Sequence, residues 1–106
     1  MANLIGGDRW VFTEPTSAAE ESQLNHLHWI TGIFWTSDEN SGDDIAADDD
    51  LYITDGSGLK VISKRAEGTG DDLGITMGHP GLPVQGWSVK VLDGGVLTIW
   101  RKLPYT

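Results

Sequence analysis

Between Val84 and Arg101 the chain reads VQGWSVKVLDGGVLTIWR. Trp87, Val89 and Val91 alternate with Ser88, Lys90 and Leu92, and beyond Asp93-Gly94-Gly95 the run Val96 to Trp100 is again rich in β-branched and aromatic residues. Alternation with period two puts successive side chains on opposite faces of a strand. Asp-Gly-Gly tolerates the positive φ of a tight turn, so the stretch predicts a β-hairpin. A lone hairpin is marginal in water and needs further strands over its apolar face. Leu51-Tyr52-Ile53-Thr54, the turn Asp55-Gly56-Ser57-Gly58 and Leu59 to Ser63 predict a second one, with Leu51, Ile53, Leu59 and Val61 on one side.

The most apolar run is His26 to Thr36, HLHWITGIFWT. Its density predicts a central strand with both faces partly covered, and Gly32 predicts a bulge or a close backbone approach. The alternation slips there: Leu27, Trp29, Ile33 and Trp35 read as one face, Ile30 and Phe34 as the other. From Gly68 to Pro83 glycine and proline dominate, leaving room for a short strand around Leu73 to Met77. Leu103-Pro104 ends the last strand by removing an amide donor. Residues 1–25 differ in character, being polar or small apart from Trp10-Val11-Phe12, and read as an extended N-terminal arm. Trp10 and Phe12 would share one face of that arm and grip either its own domain or a neighbour. Ser17 followed by Glu20 forms a capping box that starts a short helix at most. The expected fold is all-β. It is a single-domain β-sandwich or small barrel over residues 26–106, with a jelly-roll topology as one option, preceded by the arm.

Length and composition narrow the function. A chain of 106 residues has room for one core. No run of about 18 apolar residues is present, so no membrane-spanning helix is expected. The opening MANLIGGDRW lacks the basic and apolar regions of an export signal, which predicts synthesis in the cytoplasm. Without cysteine there is no disulfide, thiolate nucleophile or cysteine-based zinc site. Sixteen acidic against seven basic side chains give a formal charge of −9, which repels phosphate backbones and argues against nucleic-acid binding.

Candidate chemistry is sparse. His26 and His28 stand two apart and would face one side of a strand, but a metal needs a third ligand, from His79 or a carboxylate, and nothing in the spacing shows that they meet. Two surface histidines at a strand entrance are the simpler reading. Asp38 to Asp50 holds seven carboxylates and no cation. Its opening Asp38-x-Asn40-x-Gly42-Asp43 resembles a calcium loop, but with glycine at a ligand position and aspartate at the turn glycine. It reads as a solvated loop. Gly56-Ser57-Gly58 is a hairpin turn rather than a nucleophile elbow, the glycine pairs precede no helix, and Asp43-Asp44 and Asp48-Asp49 are adjacent loop acids. No catalytic residue, metal ligand or cofactor is assigned. Of the five tryptophans, Trp29, Trp35, Trp87 and Trp100 fall in strand patterns that need a core, which leaves Trp10, with Phe12, as the interface anchor. Gly56, Ser57 and Gly58, with Gly94 and Gly95, are the turn surfaces offered to a partner.

The succession Trp35, Gly42-Asp43-Asp44, Tyr52-Ile53-Thr54-Asp55-Gly56-Ser57-Gly58, Val61-Ile62, Ala66, Gly86-Trp87-Ser88-Val89 and Leu92-Asp93-Gly94-Gly95-Val96-Leu97-Thr98-Ile99-Trp100 resembles small virion structural proteins of tailed bacteriophages. The likeness covers roughly residues 29 to 101. It implies a non-enzymatic all-β homo-oligomer, and the strongly negative charge would set such a virion component on the outer surface, away from packaged DNA. There it would be a head decoration or cement protein bound to the major capsid protein, or a tail or adaptor component bound to other virion proteins. A carbohydrate-binding β-sandwich, with tryptophans stacked on sugar rings, is the alternative from another class, and a small hydrolase using its acidic residues a third.

Overall fold

A computed structural model describes residues 3–37, 44–78 and 80–102. Eight strands and one short helix are present among them: β1 (Arg9–Phe12), α1 (Ala18–Gln23), β2 (Leu27–Thr36), β3 (Asp50–Thr54), β4 (Lys60–Arg65), β5 (Leu73–Thr76), β6 (Leu82–Gln85), β7 (Ser88–Leu92) and β8 (Val96–Lys102). A five-stranded antiparallel sheet runs β1-β8-β2-β5, with β6 on the same side of β2 as β5, and a three-stranded antiparallel sheet runs β4-β3-β7. One apolar cluster joins the two sheets, with Trp10, Ile33, Trp35, Leu97 and Ile99 from the larger and Leu51, Ile53, Val89 and Leu92 from the smaller. The protein is an all-β sandwich. Ser17 and Glu20 form the capping box expected of them, and α1 stops after six residues because no apolar stripe carries it further.

The Asp55 to Gly58 turn joins the paired strands β3 and β4, as the pattern predicts. The other glycine turn does not make a hairpin. β7 lies in the small sheet and β8 in the large one, so Asp93-Gly94-Gly95 carries the chain from one layer to the other. Both edges of β8 are filled, by β1 and β2. The free edge of β7 is met instead by Thr16, whose amide donates to Val89 O (3.0 Å) and whose hydroxyl accepts from Val89 N (3.1 Å). Gly95 holds φ +76°, and a Cβ there would lie 2.6 Å from Ile45 Cγ1 and 2.8 Å from Thr36 O. The crossing turn is thus packed into the end of the sandwich, where only glycine fits.

Residues 1–25 are not an arm outside the domain, as far as residues 3–25 describe them. β1 pairs with β8 along Arg9–Phe12, and Trp10 and Phe12 are fully buried. Of the two roles the pattern allows them, gripping the chain's own domain is the one realised. The reason is geometric: without β1, one edge of β8 and the core side of Ile99 and Leu97 would be uncovered. Leu4 in turn bridges Val11 across the outer edge of β1.

In β2 the register shifts between Ile30 and Gly32, the irregularity that Gly32 predicts. The extra residue moves the faces. His28, Ile30, Ile33 and Trp35 point into the core, while Leu27 and Trp29, expected on the side of Ile33 and Trp35, lie on the outside. Beyond the strand, Ile45 inserts from the acidic segment and is completely buried, its amide donating to Ser37 Oγ (2.9 Å). The part of that segment described here, from Asp44 on, is therefore anchored rather than free in solvent.

Candidate functional site

The outer face of the five-stranded sheet carries the aromatic residues that the core does not take. Trp100 is 39% exposed, and Trp29 and Phe34 are half-buried. Strand pairing sets Trp100 and Thr76 beside Gly32, and Gly74 and Thr98 beside Phe34. A Cβ at Gly32 would come within 2.8 Å of Phe34 Cε2 and 3.5 Å of Trp100 Cδ1, and one at Gly74 within 3.3 Å of Phe34 Cδ1. The two glycines leave bare backbone that the Phe34 ring approaches at both and the Trp100 ring at Gly32. Arg9, cross-strand from Trp100, holds its guanidinium 5.6 Å from that ring centroid. Tryptophan, phenylalanine and arginine grouped this way are the residue types that dominate protein interfaces.

The sequence assigns interface residues differently, and the structure corrects it. Trp10 and Phe12, read as anchors, are sealed inside. Trp10 packs edge-on against Phe12 (6.3 Å), His28 (4.8 Å) and Trp87 (5.8 Å). The indole N–H groups of Trp10 and Trp87 have no acceptor among the described residues, so these rings are held by packing and, for Trp10, by the Arg101 guanidinium near its ring. Gly95 is buried and Gly94 half-buried, with Gly94 O accepting from Trp35 Nε1 (2.7 Å); this turn is a structural joint. Gly56, Ser57 and Gly58 are exposed, and the Asp55 carboxylate gathers their turn by accepting from Ser57 N, Ser57 Oγ and Leu59 N. Trp100, read as core, is the exposed tryptophan. A signal for this was present: Trp100 shares its alternation with Thr98, while Leu97 and Ile99 share the other.

At one end of the same sheet, Arg101 and the histidines form a corner. His28 is 2% exposed, and its Nε2 hydrogen-bonds Leu24 O (2.7 Å). That contact puts the proton on Nε2 and leaves Nδ1 as acceptor toward Arg101 Nη1 (3.5 Å). Burial pushes the His28 pKa down to about 4, and neighbouring His26 and Arg101 push the same way. The imidazole is therefore neutral at pH 7 and acts as a fixed acceptor. It is not one of two surface histidines: only His26 is exposed, its ring 4.1 Å from that of His28. A cavity of about 540 Å³ opens here, lined by Leu27, Trp29, Pro80, Arg101 and Lys102 together with the histidines.

Charge is divided between the layers. Arg65 pairs with Asp50 (2.9 Å), Lys64 with Asp71 (3.3 Å) and Lys90 with Glu21 (3.2 Å), all of these cations lying on β4 or β7 of the small sheet. Asp50 is held low by Arg65, Glu21 by the Ser88 hydroxyl and Lys90, Asp71 by the Glu67 amide and Lys64, and Asp55 by Ser57. Each displaced carboxyl is displaced toward the anion, the opposite of what a general acid requires. Among the described residues no three His, Asp or Glu side chains are grouped to hold a metal. His79 and the calcium-loop opening at Asp38, Asn40, Gly42 and Asp43 lie outside the described residues. No described helix is long and apolar enough to cross a membrane. No family model matches the chain, and no curated protein or solved structure matches it.

Proposed function

We propose that this chain is a structural component of a tailed-bacteriophage virion, a head decoration or cement protein that binds the outer face of the shell and works by adhesion. A tail or adaptor position is the variant of the same reading. The turn-and-strand resemblance over residues 29 to 101 suggests the setting, and the acidic balance suits a surface away from packaged DNA. The observation that carries the adhesive role is the outer face of the five-stranded sheet, where Trp100, with the Arg9 guanidinium over its ring, shares a surface with Phe34 and Trp29. Its partner is the major capsid protein or another virion protein, with further copies of this chain alongside.

The test is to size the purified chain and image it with capsids that lack it. A defined oligomer or regular attachment is expected, and Trp100→Ala should abolish it with the monomer still folded. A monomer that ignores capsids and tails alike would overturn the reading. One observation favours a second reading: the Phe34 and Trp100 rings both approach the bare backbone at Gly32 on the outer face, where a sugar ring could stack. A carbohydrate-binding module predicts a change in tryptophan fluorescence with oligosaccharides, lost in Trp100→Ala. The adhesive reading predicts none.

A further inference from the structure

We propose that the cavity at the Arg101 end of the large sheet is a binding site for a carboxylate carried on a compact, ring-bearing or apolar body. Four observations carry this. First, Arg101 is already immobilised: Nε donates to Gly7 O (2.7 Å), Nη1 to His28 Nδ1 (3.5 Å), and the guanidinium sits 5.2 Å from the Trp10 ring centroid. A guanidinium has five donors in a planar fork, and those contacts leave part of the fork unengaged. Its ordering cost has been met within the fold, so a ligand need not supply it.

Second, the charge is uncompensated. In a chain with 16 acidic side chains against seven basic ones, neither Arg101 nor Lys102 has a carboxylate within ion-pair distance among the described residues, and both line the same cavity. Third, part of the lining is apolar. Leu27 is 49% exposed, Trp29 is half-buried and Pro80 completes the surface. Fourth, the volume of about 540 Å³ lies within the usual range for small-ligand sites. An Arg fork recognises a carboxylate by two parallel hydrogen bonds, and Lys102 adds a second, mobile charge. The neutral His28 holds the fork in place without presenting an anion of its own. The inference goes beyond the adhesive role and does not depend on it, because it is read on the isolated protein with small probes.

Indole-3-acetate, its amide and tryptamine are suitable probes, followed by two-dimensional NMR on the wild-type chain. The acid should perturb the signals of His26, Leu27 and Trp29 at millimolar concentration or below, and bind about tenfold more tightly than the amide. Tryptamine should leave them unmoved. Lys102→Gln, which leaves the Trp10 contact of Arg101 intact, should weaken the acid several-fold with no effect on the amide; Arg101→Gln should do the same more strongly. N-acetyl-leucyl-tryptophan with a free carboxylate separates the sources of such a group. Tighter binding than indole-3-acetate indicates a polypeptide C-terminus, and weaker binding a free aromatic acid. Equal binding of acid and amide, an unchanged acid affinity in Lys102→Gln, or no response to any probe at millimolar concentration overturns the proposal.

Discussion

The two faces of the five-stranded sheet use the same residue types for opposite ends. On the inner face Trp10 and Trp35 are completely buried, and Trp35 is tied to the crossing turn through Gly94 O. On the outer face Trp100 stands cross-strand from Gly32 with Arg9 beside it, and Trp29 stands between Pro83 and Lys102. A tryptophan therefore tells little about its role until the opposing layer is known. The inner pair meets a second sheet, whereas the outer pair has no opposing layer among the described residues.

Substitutions can break this contrast. The largest effect belongs to Trp10→Ala, which should cost roughly 3–5 kcal/mol in a urea unfolding series, because it empties the centre of an aromatic cluster. A near-zero cost would mean that β1 is detachable after all. Gly95→Ala should follow at about 2–4 kcal/mol, combining a left-handed backbone with sub-van-der-Waals approaches to Ile45 and Thr36. Gly58→Ala in the true hairpin also has positive φ, but with nothing near its Cβ, and should cost only about 1 kcal/mol. Similar losses at both positions would erase the distinction between joint and hairpin.

His28 adds a pH dependence to the inner face. Its pKa falls from 6.5 to about 4 on folding, so between those values the unfolded chain binds the extra proton. Stability should therefore drop as pH falls from 6.5 toward 4, by at most about 3 kcal/mol, and level off for this group below that. The component should vanish in His28→Gln, measured by denaturation at pH 7 and pH 4.5. Smallest of all is Trp100→Ala, expected to change monomer stability by less than about 1 kcal/mol while removing adhesion. A loss comparable with that of Trp10→Ala would show that the outer face is covered within the chain.

Much of the fold was legible along the chain. The β3–β4 hairpin, the capping box, the short β5 and the irregularity at Gly32 are local events, governed by turn chemistry, side-chain period and backbone freedom. The candidate site was less so. Trp10 looked free because Trp10-Val11-Phe12 is a short apolar patch in an otherwise polar or small stretch, yet its covering residues, His28 and Trp87, lie far along the chain. The Arg101 corner brings together Gly7, His28 and Arg101, a grouping that no local spacing encodes.

Strand content, the acidic balance and the lack of cysteine chemistry can be read from residue order and type alone, since each depends on a few neighbours or on a sum. Which strands pair, and therefore whether Asp93-Gly94-Gly95 closes a hairpin or bridges two layers, was settled by competition for the edges of β8, won by β1 and β2. That competition involves residues some ninety positions apart. Its outcome decided which tryptophans are enclosed and which lie on the outer face.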